Sequence, residues 1–180
     1  MRRAVFIFAA VATLVSRAAA AELAAQPTVR EGVSIRLPAG WTADAPAGTT
    51  EGGRRTPLTA RAGTRDKDDT GDFQTVMSVS VELGNKVDAA AQQARLASDR
   101  MLSNYEAVEK PTAVKLAGAE GVMFGGTFML GPLKLRSRQY MLAKGGKVYV
   151  VTFTSLASQW ARYRPLLEAS VGSMAVGPEK

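Results

Sequence analysis

Residues 32–41 read Gly-Val-Ser-Ile-Arg-Leu-Pro-Ala-Gly-Trp, and this stretch carries the strongest fold signal in the chain. Its apolar residues alternate with polar ones, a period of two that is typical of a strand with one buried face. Pro38 lacks the N–H that a sheet partner needs and ends the strand, and Gly40 lets the chain bend. Trp41 is then expected to turn under the sheet and mark the start of a domain, so that Trp41→Ala costs about 3 to 5 kcal/mol of stability.

Upstream of this strand, residues 1–21 have the three parts of a secretory signal peptide. A basic start is followed by an apolar run at residues 4–15 and then by small residues. The apolar run is shorter than the roughly 20 residues that cross a bilayer as a helix, so a cleaved leader is predicted rather than a membrane anchor. Cleavage is expected after Ala20 or Ala21, which leaves a soluble protein in the periplasm or outside the cell.

The composition excludes most catalytic and metal chemistry. The chain contains no cysteine and no histidine. Disulfides, thiolate metal sites, the lipid-bearing cysteine of lipoproteins and every histidine general base or ligand are therefore excluded. Neither the Gly-x-Ser-x-Gly nor the Ser-x-x-Lys spacing of serine nucleophiles occurs. The sequence predicts that the protein is not an enzyme and uses no cofactor.

The mature chain is expected to be mildly basic. The full chain has 23 Lys and Arg against 16 Asp and Glu, a formal net charge of +7, and removal of the leader takes away three arginines and leaves +4. Such a surface attracts acidic proteins and anionic membrane surfaces in a salt-dependent way. Nucleic acid is not an expected partner outside the cytoplasm, and the oligomeric state is left open.

Two changes of period mark the helices of the domain. Residues 87–105 carry apolar residues at a spacing of three and four, which predicts a helix that Asn85 caps. Residues 156–174 show the same spacing, but Pro165 cannot lie in an unbroken helix interior, so a start or a kink is expected there. The domain assignment is residues 22–30 as a tether, 31–176 as one domain and 177–180 as a tail.

Strand patterns occupy most of the remaining chain. Short links separate the last four strands and predict an antiparallel meander, in which Gly145-Gly146 suits a primed turn. Residues 148–154 are apolar or β-branched throughout, so this strand is placed at the centre. The predicted strands are 58–62, 74–83, 112–117, 122–130, 133–144 and 147–154. A helix on each face gives an α+β, α-β-α sandwich.

The order of these elements, together with several short motifs, resembles the superfamily of the PsbP extrinsic subunit of photosystem II, the bacterial DcrB proteins and the Ran-binding Mog-type proteins. The motifs are the opening 32–38 with Gly40-Trp41, the helix ending at Tyr105, the turn at 116–121, the strand 149–153 and the closing Ser173-Met174. The resemblance implies a PsbP/Mog-like sandwich and a binding or assembly role without cofactor chemistry. DcrB-type proteins are commonly lipoproteins and some plant PsbP proteins have metal-linked histidines, so no functional residue is carried over.

An acidic group resembles a calcium loop because carboxylates precede a glycine at alternate positions. Its members are Asp66, Asp68, Asp69 and Asp72. The position where a calcium loop has its bidentate glutamate is Met77 in this chain. A solvated acidic loop is therefore favoured, with a weak calcium site as the alternative.

A basic stripe is predicted on one face of the strand at 133–144. It consists of Lys134, Arg136 and Arg138, with Tyr140 following. The first interpretation is an edge or partly exposed strand that its cations keep soluble. The second is a docking face for an acidic partner or for anionic lipid headgroups. Phe124 and Phe128 share a face of the preceding strand and either line an apolar pocket or pack under a helix, and packing is favoured.

Together these observations favour an exported, non-enzymatic binding or assembly factor that acts through its surface and loops on a protein partner in the cell envelope. The first alternative is a periplasmic carrier of a small apolar ligand or lipid, held between sheet and helix. A hydrolase that uses paired carboxylates is the third hypothesis.

Overall fold

An antiparallel seven-stranded sheet with one helix on each face forms the centre of the computed structural model. The structure describes residues 22–30, 32–45, 54–99 and 102–177, so the predicted signal peptide lies outside the described residues. The strands are β1 (Thr28–Arg30), β2 (Val33–Ile35), β3 (Thr42–Ala43), β4 (Arg55–Arg61), β5 (Asp66–Asp68), β6 (Gly71–Phe73), β7 (Val76–Leu83), β8 (Ser103–Leu116), β9 (Ala119–Leu130), β10 (Leu133–Lys144), β11 (Lys147–Leu156) and β12 (Ala175–Val176). The helices are α1 (Ala89–Ser98) and α2 (Trp160–Gly172).

The predicted meander is confirmed in the order β3-β4-β7-β11-β10-β9-β8. Two-residue turns connect β8 to β9 and β10 to β11, and both central residues of each turn adopt the positive φ of a primed turn. Ala117 and Gly118 have φ of 51° and 76° between β8 and β9, and Gly145 and Gly146 have 60° and 76° between β10 and β11. The apolar β11 is the central strand, as its pattern predicts.

Each face of the sheet buries its own apolar cluster under one helix, which confirms the sandwich. On one face Phe153 of β11 packs with Trp160 and Tyr163 of α2. On the other face Phe124 of β9 packs in a cluster with Ala89 of α1. This arrangement follows from the alternation of side chains along each strand, since a strand covered on both faces must be apolar on both.

The opening stretch belongs to a separate three-stranded sheet rather than to the central one. β2 pairs with β1 on one side and β12 on the other. The assignment of residues 22–30 to a tether is therefore wrong for Thr28–Arg30, and Leu23 also bridges Pro38. The reason is that β2 offers two edges and only one of them is taken by the C-terminal strand.

Trp41 lies where the sequence predicts but is only half-buried. Its ring stacks on Phe153 with centroids 6.0 Å apart and meets the edge of Tyr163 at 6.2 Å. One face of the indole therefore contacts the α2-side core and the other remains accessible. The stability cost predicted for a fully buried tryptophan is too high for this position.

The first predicted helix is too long at both ends. α1 begins after Asp88, whose carboxylate accepts a hydrogen bond from the Ala91 N–H at 2.8 Å, and ends at Ser98. Tyr105 lies in β8, because pairing with β9 overrides the local helical spacing. Leu83, at the end of β7, is 85% exposed.

α2 begins at Trp160 and continues through Pro165, so a helix start at the proline, one of the two predicted alternatives, is wrong. A proline inside a helix removes the N–H that would bond to the carbonyl four residues earlier. That residue is Ala161, which is exposed, so water can satisfy its carbonyl. Leu167 and Val171 bury the following turns and compensate for the lost bond. None of the described helices is long and apolar enough to cross a membrane.

Candidate functional site

The acidic group lies on the β5–β6 hairpin, where Asp66 is buried against α2. Its carboxylate is 8% exposed, and it accepts hydrogen bonds from the Tyr163 hydroxyl at 2.5 Å and from Arg162 at 2.9 Å. Burial and the bond to Asp66 both raise the pKa of Tyr163. This carboxylate fixes the hairpin to the first turn of α2.

The other carboxylates of the group do not share the contacts of Asp66. Asp68 accepts hydrogen bonds from the Ser158 hydroxyl at 2.5 Å and the Thr70 N–H at 2.8 Å, and these bonds lower its pKa. Asp69 and Asp72 are exposed. No three acidic side chains among the described residues converge as metal ligands would. The geometry therefore gives no support to a calcium site, because two of the four carboxylates already bind protein donors.

The basic stripe is on an interior strand, so its interpretation as an edge is wrong. β10 lies between β9 and β11. Arg138 is 5% exposed, Tyr140 is buried and Arg136 is partly buried, whereas Lys134 is exposed. Side-chain alternation correctly places them on one face, but that face is the one that α2 partly covers.

A compact charge cluster, consisting of Glu109, Arg136, Arg138 and Glu168, pairs the two arginines of the stripe with carboxylates. Arg138 donates its Nε–H to Glu109 at 2.8 Å and an Nη1–H to Glu168 at 2.9 Å. Arg136 donates to the second oxygen of Glu109 at 2.9 Å. Glu168 also accepts a hydrogen bond from Arg164 at 2.9 Å, so two carboxylates are shared by three guanidinium groups. Arg138 is buried among these partners and does not form an exposed cationic docking face.

The indole of Trp160 supports both arginines of the charge cluster. The guanidinium carbon of Arg136 lies 4.8 Å from the ring centroid and that of Arg138 lies 5.2 Å from it. Cation–π attraction of this kind contributes about 0.5 to 2 kcal/mol per contact. Trp160 therefore both fills the α2-side core and holds the charge cluster in place.

Glu109 should make the free energy of unfolding depend on pH in the acid range. Burial raises the pKa of Glu109, but the hydrogen bond and charge of Arg138 outweigh it and hold the pKa below its ordinary value. A lowered folded-state pKa stabilises the fold above the unfolded pKa of about 4.3, and this contribution is lost as pH falls through the folded value. We expect the difference in unfolding free energy between the wild type and Glu109→Gln to narrow below about pH 4. A difference that stays constant in acid would contradict the assignment.

Gly125 is required for Glu109 to reach Arg138. A Cβ at position 125 would collide with the Glu109 carboxylate and would lie 2.8 Å from the Ser137 carbonyl oxygen. We expect Gly125→Ala to lower the free energy of unfolding by about 1 to 3 kcal/mol, the usual cost of overpacking. Gly172→Ala is the control, since a Cβ there meets nothing within 4 Å and alanine favours a helix, so this change should leave stability unchanged or raise it by up to about 1 kcal/mol. Equal melting behaviour of the two variants in thermal denaturation would refute this role.

Phe124 and Phe128 share a face of β9, and among the described residues both pack in apolar clusters. Phe124 is fully buried in the cluster under α1, and Phe128 packs in a separate cluster with Leu135 and Leu156. Their rings fill the space in which the sequence allows an apolar ligand. The packing interpretation accounts for both residues.

The structure instead opens a groove at the end of the sheet near the start of α1. α1 has only ten residues and leaves this end of the longer strands uncovered. The groove has a volume of about 940 Å³. Small and β-branched side chains make its floor, residues 85–87 make one wall, and Lys86 and Lys115 stand at its rim. The floor residues are Ala113, Val122 and Ala143.

The open edge of β8 runs beside this groove. β8 has 14 residues and is the last strand of the sheet, so none of the described strands pairs with its outer side. Val108, in its middle, is 43% exposed. A long unpaired edge is a template for another strand, and proteins usually protect such edges. The groove and this edge together are the candidate functional site.

Sequence reasoning missed this site because it extended the first helix and shortened β8. A helix to residue 105 would cover more of the sheet, and a strand beginning at residue 112 would leave little edge. Pro111 was the available signal, because a proline inside a strand pattern indicates an edge strand.

The fold is of the PsbP/Mog type, an α+β sandwich. No protein-family model matches the sequence, and no curated protein matches it either. The likeness is therefore to solved structures alone.

Three of these solved structures come from a cyanobacterium, a mycobacterium and a yeast. The cyanobacterial PsbP, CyanoP, of Synechocystis matches with a TM-score of 0.60 and 15% identity over 87% of this chain and 93% of that chain. LpqN of Mycobacterium tuberculosis, described as involved in cell envelope biogenesis, matches at 0.55 and 14% over 85% of both chains. The Ran-binding protein Mog1p of Saccharomyces cerevisiae matches at 0.50 and 16% over 81% of this chain and 90% of that one. At these identities the likeness shows the fold.

Proposed function

We propose that this chain is an exported, non-enzymatic binding or assembly factor that engages a protein partner in the cell envelope. The observation that carries the proposal is the open edge of β8 beside the groove, since both features offer a surface for a partner rather than a closed reaction chamber. The involvement of LpqN in envelope biogenesis and the Ran binding of Mog1p show that this fold serves such roles in other proteins.

The charge cluster argues against the hydrolase hypothesis. Paired carboxylates act in hydrolysis when one is protonated near neutral pH and the other is not. Glu109 and Glu168 instead share Arg138, and the arginine holds the pKa of Glu109 below its ordinary value. A carboxylate in this state is a poor general acid, so the pair is better suited to holding the β8–β9 edge in place.

Export is tested by expression of the full chain in a Gram-negative host, followed by mass determination of the mature protein. We expect the protein in the periplasmic fraction, with an N-terminus at Ala21 or Glu22. A protein that keeps Met1 and stays in the cytoplasm would contradict the export part of the proposal without affecting the binding part.

Partner binding is tested by placing a photo-crosslinking amino acid at Ala113, in the groove and on β8. The same residue at Ala161, exposed on α2, is the matched control. We expect an adduct of defined mass in intact envelopes from the Ala113 position and little from Ala161. No adduct from the Ala113 position, or equal adducts from both positions, would contradict binding through this surface.

The size of the groove favours a second candidate, carriage of a small apolar ligand. Its volume of about 940 Å³ lies within the usual range of ligand sites, and Val87, Val122 and Ala143 give it an apolar lining. Native mass spectrometry of the purified protein should then show a co-purified small molecule, and Val87→Glu should remove it. A bare protein mass from freshly prepared envelopes would exclude this candidate.

A further inference from the structure

One segment of β8 presents free backbone groups in a regular pattern. Leu116 and Ala119 flank the two-residue β8–β9 turn and therefore exchange both hydrogen bonds of their pair. Bonded and non-bonded pairs alternate along an antiparallel ladder, so every second residue before Leu116 also bonds to β9. The N–H and C=O groups of Ala113 and Lys115 consequently point away from the sheet, and both residues are exposed.

The regular segment is short and has defined ends. Pairing with β9 is continuous from Thr112 to Leu116, and register shifts interrupt it on the N-terminal side of Thr112. Pro111 cannot donate a hydrogen bond to an added strand, and the turn closes the other end. These features protect most of the edge and leave Thr112–Leu116 as the part that can receive a strand.

Positive charge surrounds this segment. Lys110 precedes it, Lys115 lies within it, and Lys86 lines the groove beside it. Within the described part of the chain none of these three lysines forms an ion pair. Glu120 lies directly opposite Lys115 and offsets one charge, whereas Glu109 is already bound by the two arginines of the charge cluster.

We propose that the outer edge of Thr112–Leu116 binds an acidic, extended segment of the partner as an additional strand of the central sheet. The inference rests on the proposed binding function and specifies its chemistry. Main-chain hydrogen bonds to Ala113 and Lys115 provide the attachment, and alternate side chains of the added strand extend over the groove floor. The lysines select acidic residues and disfavour basic ones.

The direct test is amide hydrogen exchange measured by NMR on the ¹⁵N-labelled mature protein. The probe is a synthetic peptide in which valine alternates with glutamate, and its control replaces each glutamate with lysine. We expect the glutamate peptide to slow exchange at Ala113 and Lys115, while Val114, which already bonds to β9, changes little. The lysine peptide should bind at least about tenfold more weakly.

Two variants separate strand addition from simple charge attraction. Ala113→Pro removes one outward N–H without breaking the β9 ladder and should abolish the protection. Lys115→Glu should reverse the preference between the two peptides. Lys134→Glu, an exposed lysine on the other face of the sheet, is the matched control and should leave binding unchanged. Native-like NMR spectra of each variant show whether its fold is retained.

The outcomes distinguish this inference from the proposed function. No protection at Ala113 and Lys115, or equal binding of the two peptides, overturns strand addition. If the envelope partner still crosslinks to a probe at Lys115 when Ala113 is proline, binding stands but strand addition is wrong. Loss of both the crosslink and the peptide protection in the Ala113→Pro variant supports the inference.

Discussion

Replacing Glu109 with glutamine is expected to lower the free energy of unfolding by about 3 kcal/mol, the low end of the cost of breaking a buried ion pair. The side chain of Arg138 is 6% exposed and that of Glu109 is 17% exposed, so the arginine would keep a buried charge with one anion removed. Glu168 still pairs with Arg138, but its side chain is 44% exposed and provides weaker compensation.

The measurement is chemical denaturation at neutral pH, compared with Glu106→Gln as the control. Glu106 lies on the same strand and is exposed, so its substitution should change stability by no more than about 0.5 kcal/mol. If the two variants unfold at the same denaturant concentration, the charge cluster contributes no more than surface ion pairs do. Arg138 would then not need Glu109 as its counter-ion.

Replacing Phe153 with alanine is expected to cost about 4 kcal/mol, because it removes a large side chain from the best-covered point of the sheet. Phe153 is fully buried on the central strand and contacts three aromatic rings within 6.2 Å. The rings cannot all move into the space it leaves, since each is also held by its own element. A cavity would remain between β11 and α2.

Trp41→Ala is the informative comparison, because Trp41 stacks on the same ring from the half-exposed side. We expect it to cost about 2 kcal/mol, roughly half the value for a fully buried aromatic residue. Calorimetric unfolding of both variants gives the comparison. A larger loss for Trp41→Ala than for Phe153→Ala would mean that the opening stretch, and not the central strand, anchors the α2-side core.

The strands of the meander could be predicted because their signals are local in the sequence. β9, β10 and β11 begin and end near the predicted residues, because alternation along a strand and glycine-rich links are properties of short segments. The central position of β11 follows from the same local composition. Of the candidate site, only Pro111 could be recognised in the sequence, because a proline inside a strand pattern indicates an edge strand. It lies at the N-terminal end of the part of β8 that can receive another strand.

Other features of the fold depend on contacts between residues that are far apart in the sequence, and only the tertiary structure decided them. The end of α1 and the start of β8 are set by pairing with β9, and Leu23 and Val176 are placed by their partners in or beside the small sheet. The charges of Arg136 and Arg138 look exposed in the sequence, yet Glu109 and Glu168 approach them from β8 and α2 and form ion pairs with them.

The sequence by itself determined an α+β sandwich with a meander sheet, because hydrophobic periodicity and turn residues act over a few positions. The tertiary structure decided which cations are buried, how far α1 extends over the sheet and which edge of β8 stays open. These properties depend on partners far away in the chain, and a local pattern carries no information about them.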